Sequence, residues 1–169
     1  MKIQRSFAIW FSLLLLPLLL LATYLTAKGP QGGGKKYVCL EPNPETMCNA
    51  ATTCGSASTP CTVDVKRTAQ AASVTPDSPN AKSNRPFCVK VGTTVTWKSS
   101  SKNTGFVLDF GPTSPFDQGT IIGGSDRSVS AVAKNAGCHK FSAGACVSGA
   151  IYGMCGNVDT EIVVISGGP

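Results

Sequence analysis

The chain has 169 residues, of which 42% are hydrophobic and 14% charged, with a formal net charge of +6, eight cysteines and a single histidine. Two of the basic residues, Lys2 and Arg5, belong to the extreme N-terminus, and the others are interspersed with Ser, Thr and Asn without a series of aromatic residues, so a nucleic-acid groove is not indicated. One histidine and no Cys-x-x-Cys spacing leave little from which to build a structural zinc site.

Residues 1–27 read as an export segment. Lys2 and Arg5 precede an uncharged apolar run from Phe7 to Leu25, interrupted only by Ser12, Thr23 and Pro17. The run is longer than a usual signal-peptide core and approaches the roughly 20 residues that cross a bilayer. Two readings therefore stand: a signal peptide cleaved after Ala27, with Leu25 where a small residue is preferred, or an uncleaved membrane anchor. Either way the body is exported, and it is membrane-anchored on the periplasmic or extracellular side or secreted according to which holds. Residues 28–36, Lys-Gly-Pro-Gln-Gly-Gly-Gly-Lys-Lys, form a flexible tether.

Residues 37–60 form a cysteine-rich extension, too polar for a core of its own, in which Tyr37 to Leu40 would add an edge strand. All eight cysteines (Cys39, Cys48, Cys54, Cys61, Cys88, Cys138, Cys146 and Cys155) follow the leader, and an even number in a short exported chain reads as a disulfide framework. Connectivity is open from sequence. The simplest expectation is local pairing among the first four, with the last four bridging the main domain.

That domain, residues 61–166, carries β patterns throughout. Thr62 to Lys66 alternates with period two; Phe87 to Val91 follows a Ser-, Pro- and Asn-rich stretch over 73–86; Thr93 to Trp97 follows the turn at Gly92. Phe106 to Phe110 ends at Gly111-Pro112, Ser128 to Val132 follows the turn signal Gly123 to Asp126, and Cys138 to Phe141 and Thr160 to Ile165 complete the set. Short strands between Gly, Pro, Asn and Ser clusters, with no sustained helical period, predict an all-β, two-sheet antiparallel sandwich.

Val89 to Trp97, the later Gly137-x-His139-Lys140-Phe141 and the terminal Met154-x-Gly156-x-Val158 resemble the plastocyanin- and azurin-like cupredoxins over residues 61–166. The resemblance implies a Greek-key β-sandwich. Thr93 stands where the family commonly has Asp, and Cys138 to Phe141 replaces an aromatic-rich version. A blue-copper centre needs two imidazoles, a thiolate and a weak thioether. Here Asn103 to Phe106 stand where the first family histidine falls, and no histidine lies between Cys146 and Met154, so no intact type 1 site and no cofactor are expected. The alternative is an irregular copper site drawing on Cys146, Met154 and His139, in a copper carrier or electron-transfer protein.

Enzymatic signatures are missing: there is no Gly-x-Ser-x-Gly elbow, phosphate-cradling loop or dinucleotide fingerprint. Asp109, Asp117, Asp126, Asp159 and Glu161 are scattered, with turn or strand-face placement their ordinary meaning. The expectation is a non-enzymatic binding or structural module, engaging a protein or cell-envelope partner through loops at one end of the sandwich. Those loops lie around Asn103 to Phe106, Thr113 to Gly119 and Val147 to Gly153, with Asn103, Phe106, Phe116 and Tyr152 as contact residues.

Overall fold

The computed structural model describes residues 39–148 and 155–166. The leader, the tether and residues Tyr37, Val38, Tyr152 and Met154 lie outside the described residues, and with them the expected anchor and half of the expected edge strand. Among the described residues no helix is long and apolar enough to cross a membrane.

Among the described residues nine strands build two sheets. They are β1 (Cys61–Thr68), β2 (Ala71–Pro76), β3 (Phe87–Lys90), β4 (Thr94–Lys98), β5 (Thr104–Asp109), β6 (Thr120–Gly124), β7 (Val129–Val132), β8 (Gly137–Val147) and β9 (Cys155–Ile165). One sheet runs β2-β1-β4-β7 and the other β3-β9-β8-β5-β6. The only helices among the described residues are a single turn, α1 (Pro44–Met47), and a 3-10 turn over Gly111–Thr113.

The all-antiparallel expectation needs correcting, because both sheets are mixed: β1 pairs in parallel with β4, and β3 with β9. In each case the chain leaves the neighbourhood, makes other strands and returns in the same direction, the excursion that parallel pairing requires. Two strands have no counterpart among the sequence patterns. β2 begins Ala71-Ala72-Ser73, a sequence of low β propensity that gains order from six registered pairs with β1. β6 is only Thr-Ile-Ile-Gly-Gly, paired along its whole length with β5. Residues 39–40 are not a strand, which removes the described half of the expected Tyr37 to Leu40 edge.

Alternation sends Val63 and Val65 from β1, Trp97 from β4, Phe106 and Leu108 from β5, Phe141 and Ala143 from β8 and Ile162 and Val164 from β9 into the layer between the sheets, all essentially buried. Trp97 is its centre, meeting Phe87, Phe110, Phe116 and Phe141 edge-on at centroid distances of 5.7–6.3 Å. Such pairs contribute about 0.5–1.5 kcal/mol each beyond area burial. Gly156 lets β9 come down on β2, since a Cβ there would stand 2.4 Å from the Ala71 carbonyl carbon.

Four disulfides use every cysteine: Cys39–Cys138, Cys48–Cys88, Cys54–Cys61 and Cys146–Cys155. This pattern fits an oxidising, extracytoplasmic environment. It corrects the expected grouping, since Cys39 and Cys48 cross to the second group of four. The reason is spatial. Cys39 and Cys48 do not bond to each other, because residues 39–48 lie as a strap on the outer face of the five-stranded sheet, where Cys138 of β8 and Cys88 of β3 point outward to meet them. The strap continues into an isolated parallel bridge between Thr53 and Cys88, and the amide of Cys54 donates to the carbonyl of Cys88 at 2.8 Å.

Candidate functional site

The residues singled out from sequence do not converge on one place. β5 runs from Thr104, paired with Val147, to Asp109, paired with Ser142, so the loop before it and the loop after it leave opposite ends of the sandwich. Asn103 and the Val147 end of the β8–β9 hairpin share one end. Thr113 to Gly119 belongs to the other, which corrects the expectation of a single loop cluster. Phe106 and Phe116 are buried, the first under the sheet and the second in the Trp97 cluster, and neither presents a contact surface. For Phe106 the reason is strand periodicity: the alternation that places Leu108 inward places Phe106 inward as well.

The alternative copper ligands are also separated. Cys146 is bonded to Cys155 and carries no thiolate. His139 lies at the far end of β8 from Cys146, about 23 Å away at ~3.3 Å per residue. Its Nδ1 faces the carbonyl oxygen of Thr113 and its Nε2 that of Asn135, at 2.9 Å, so both ring nitrogens are engaged by backbone. The irregular Cys146/His139 site is therefore corrected on geometry and on the oxidation state of Cys146. His139 instead ties the 3-10 turn and the β7–β8 connection to the inner layer.

At the Asn103 end, the start of β5, the β6–β7 turn and Ser148 surround a shallow cleft of about 490 Å³. Its shape is set by backbone. Asn103 takes a positive φ of 55°, which asparagine tolerates, and its carbonyl accepts from Ser148 N–H at 2.8 Å. Gly124 N–H donates to Arg127 O at 2.9 Å, closing the turn that carries Asp126 and Arg127. The Cys146–Cys155 bridge pins the root of the adjacent hairpin. The result is a polar rim with both charge signs, next to Ile122, which is 63% exposed.

A second cleft, of about 520 Å³, lies beside β2 and β3 and carries Lys82 and Arg85 on its edge. The third, about 780 Å³, opens under the strap, between Cys39, Cys48 and the β8–β9 end that carries Cys138, His139 and Val163. The feature that sequence reasoning missed lies beside it. Glu161 is fully buried on the outer face of β9; its Oε2 accepts from Leu40 N–H at 2.8 Å, while Oε1 has no hydrogen-bond partner. The Glu161 carboxylate and the sulfurs of Cys39 and Cys138 lie within 4.8 Å of one another. A clue is present in the continuous run Glu-Ile-Val-Val-Ile, which reads as a strand covered on both faces and therefore as a buried glutamate.

Two other acidic groups, Asp64 and Asp159, are conventionally satisfied. Asp64 accepts from Ser100 N–H and Ser100 Oγ, both at 2.7 Å, and lies 3.3 Å from Lys66 Nζ. Burial pushes its carboxyl up, but the Ser100 bonds and Lys66 together outweigh that and hold it below the ordinary value. Asp159 is held low by the Ser142 hydroxyl first and by Lys140 second.

No family model, curated protein or solved structure matches the chain.

Proposed function

We propose that the chain is an exported, disulfide-stapled, cupredoxin-like sandwich that acts as a binding or structural module at the cell envelope, without a blue-copper centre and without catalysis. The fold part of this reading draws on the sequence resemblance and on a chain that crosses between the two sheets after β2, β3, β4, β6 and β7, the kind of path a Greek-key sandwich follows. The observation that carries the functional part is the Cys146–Cys155 bridge. It takes the thiolate from the position where the resemblance would place a copper ligand and uses it to brace the hairpin beside the Asn103 cleft.

A braced, polar rim with an exposed apolar neighbour suits recognition of a protein or envelope component better than capture of a small molecule, which calls for an enclosed and largely apolar pocket. An uncleaved leader would keep the module at the membrane through the tether, and a cleaved one would release it.

Photo-crosslinking in intact producing cells tests the reading, with the reactive residue placed at Asn103 or Arg127 and, as a control, at Lys134 on the opposite end. A discrete adduct from the first two positions and none from the third is the expected result. Adducts from neither end, or equally from both, would remove the proposed surface.

A further inference from the structure

The buried carboxylate under the strap has no role in the surface just described. A carboxylate taken out of water is strongly disfavoured unless it is paired with a charge or fully hydrogen-bonded. Glu161 has one hydrogen bond, from Leu40 N–H, and an orphan oxygen. Lys140 stands directly across from it in the β8–β9 register, yet its ammonium lies 3.6 Å from Asp159 instead, and no ion pair to Glu161 exists among the described residues. What does face the carboxylate is a pair of sulfurs.

We propose that Cys39, Cys138 and Glu161 constitute a reduction-gated site for a divalent borderline-soft cation, with Zn2+ as the type ion. In the oxidised chain the two sulfurs are bonded to each other and the site is closed. A dithiol reductant opens it by thiol–disulfide exchange: the Cys39–Cys138 bond breaks, the two electrons and two protons end on the two cysteine thiols, and the reductant leaves as its own disulfide. Zn2+ then displaces both thiol protons to solvent, and two thiolates and one carboxylate oxygen become its ligands.

The geometry suits the ion. Zinc takes sulfur at about 2.3 Å and carboxylate oxygen at about 2.0–2.2 Å, and tetrahedral angles then separate the ligand atoms by about 3.5–3.8 Å. In the oxidised chain the two sulfurs are bonded and a carboxylate oxygen lies within 4.8 Å of both, so after reduction the sulfurs must part to that spacing by rotation about the cysteine side-chain bonds. The Leu40 amide occupies Oε2 and leaves Oε1 as the ligand atom, the kind of outer hydrogen bond that orients a metal-binding carboxylate. Cys39 is half-buried beside the strap cleft, which gives an ion its entry path and a water the fourth position. Opening this bridge does not free the strap, because Cys48–Cys88 and the Thr53–Cys88 bridge still hold it to β3. The carboxylate that is uncompensated in the oxidised form gains a cation in the reduced one.

The test uses the full chain in detergent, treated with graded amounts of a phosphine reductant, supplied with Zn2+ alone and then alkylated for peptide mass mapping. One Zn2+ per chain is expected, with Cys39 and Cys138 protected together. In Glu161→Gln, which keeps the Leu40 acceptor, affinity should fall at least about tenfold. In Asp159→Asn, on the same strand face, it should not change. Absence of binding, protection of a different cysteine pair or equal binding by Glu161→Gln would each overturn the proposal. So would loss of the near-ultraviolet signal of the buried Trp97 when this bridge opens in the presence of Zn2+, because the site requires the fold to persist.

Discussion

Along one face of the five-stranded sheet, two halves of the same surface meet different fates. On β9, Cys155, Asn157 and Asp159 are exposed, whereas Glu161 and Val163, continuing the same outward row, are buried. The change coincides with the strap, which covers the β3–β9–β8 corner and leaves the β5–β6 corner bare, where Val107 is 40% and Ile122 63% exposed. Strand pattern is not the cause, since both halves alternate correctly. The difference comes from about ten residues outside the sandwich, fixed by two bridges. An outer sheet face becomes a second small core once something is fastened across it.

Removing the fastening should have the largest effect. Cys39→Ser with Cys138→Ser opens a link across a sequence separation of 99, which the chain-entropy treatment values at about 4–5 kcal/mol; the Cys48–Cys88 bridge inside that loop trims this to about 4. Cys146→Ser with Cys155→Ser, on the bare side, opens a separation of only 9 and should cost about 2.5 kcal/mol. Denaturant unfolding of both double variants checks the order, and equal losses would mean that the strap contributes no more than a hairpin clip. At single side chains the contrast should persist at smaller scale. Val163→Ala, 3% exposed, should lose about 1.5–2.5 kcal/mol, and Val107→Ala at most about 0.5, read from midpoints at constant slope. A comparable loss at both positions would show that the bare half is covered in solution.

The two central strands of the four-stranded sheet are more legible in the sequence than the covered corner of the other sheet. Thr62 to Lys66 alternates so cleanly that its inward valines can be named from the pattern alone, and Trp97 follows a turn glycine at the expected distance. β2 is not legible because Ala, Ser and Pro have no preference for strand, and only registration against β1 makes them one. The partners of Cys39 and Cys48 are hidden for a related reason: they lie on β8 and β3, and sequence proximity points instead to each other. Loop clustering fails at Phe116 because which end a loop leaves depends on the direction of β5, and strand patterns carry no direction. Glu161 is visible as a residue inside an apolar run, but its meaning depends on a strap whose path is written only in bridge connectivity.

The smallest expected effect separates the two carboxylates that frame the boundary. Asp159 stands in water, its oxygens taken by the Ser142 hydroxyl and faced by Lys140, and these hold its carboxyl below the ordinary value of 3.8. A group whose folded value is depressed contributes stability that is present above its unfolded value and is lost as pH falls through the lower folded one. Asp159 should therefore add to the acid-induced loss of stability only below about pH 4, and Asp159→Asn should flatten that part of a urea-midpoint-against-pH curve while leaving the neutral region almost unchanged. Lys140 makes the comparison sharper. Freed in Asp159→Asn, it has Glu161 as its nearest register partner across β8, but the strap and the Leu40 amide stand over that carboxylate. If the variant gains stability at neutral pH, Lys140 has reached Glu161 and the cover is looser than the two bridges imply. If the neutral region holds and only the acid limb flattens, the two halves are electrostatically separate, as their burial indicates.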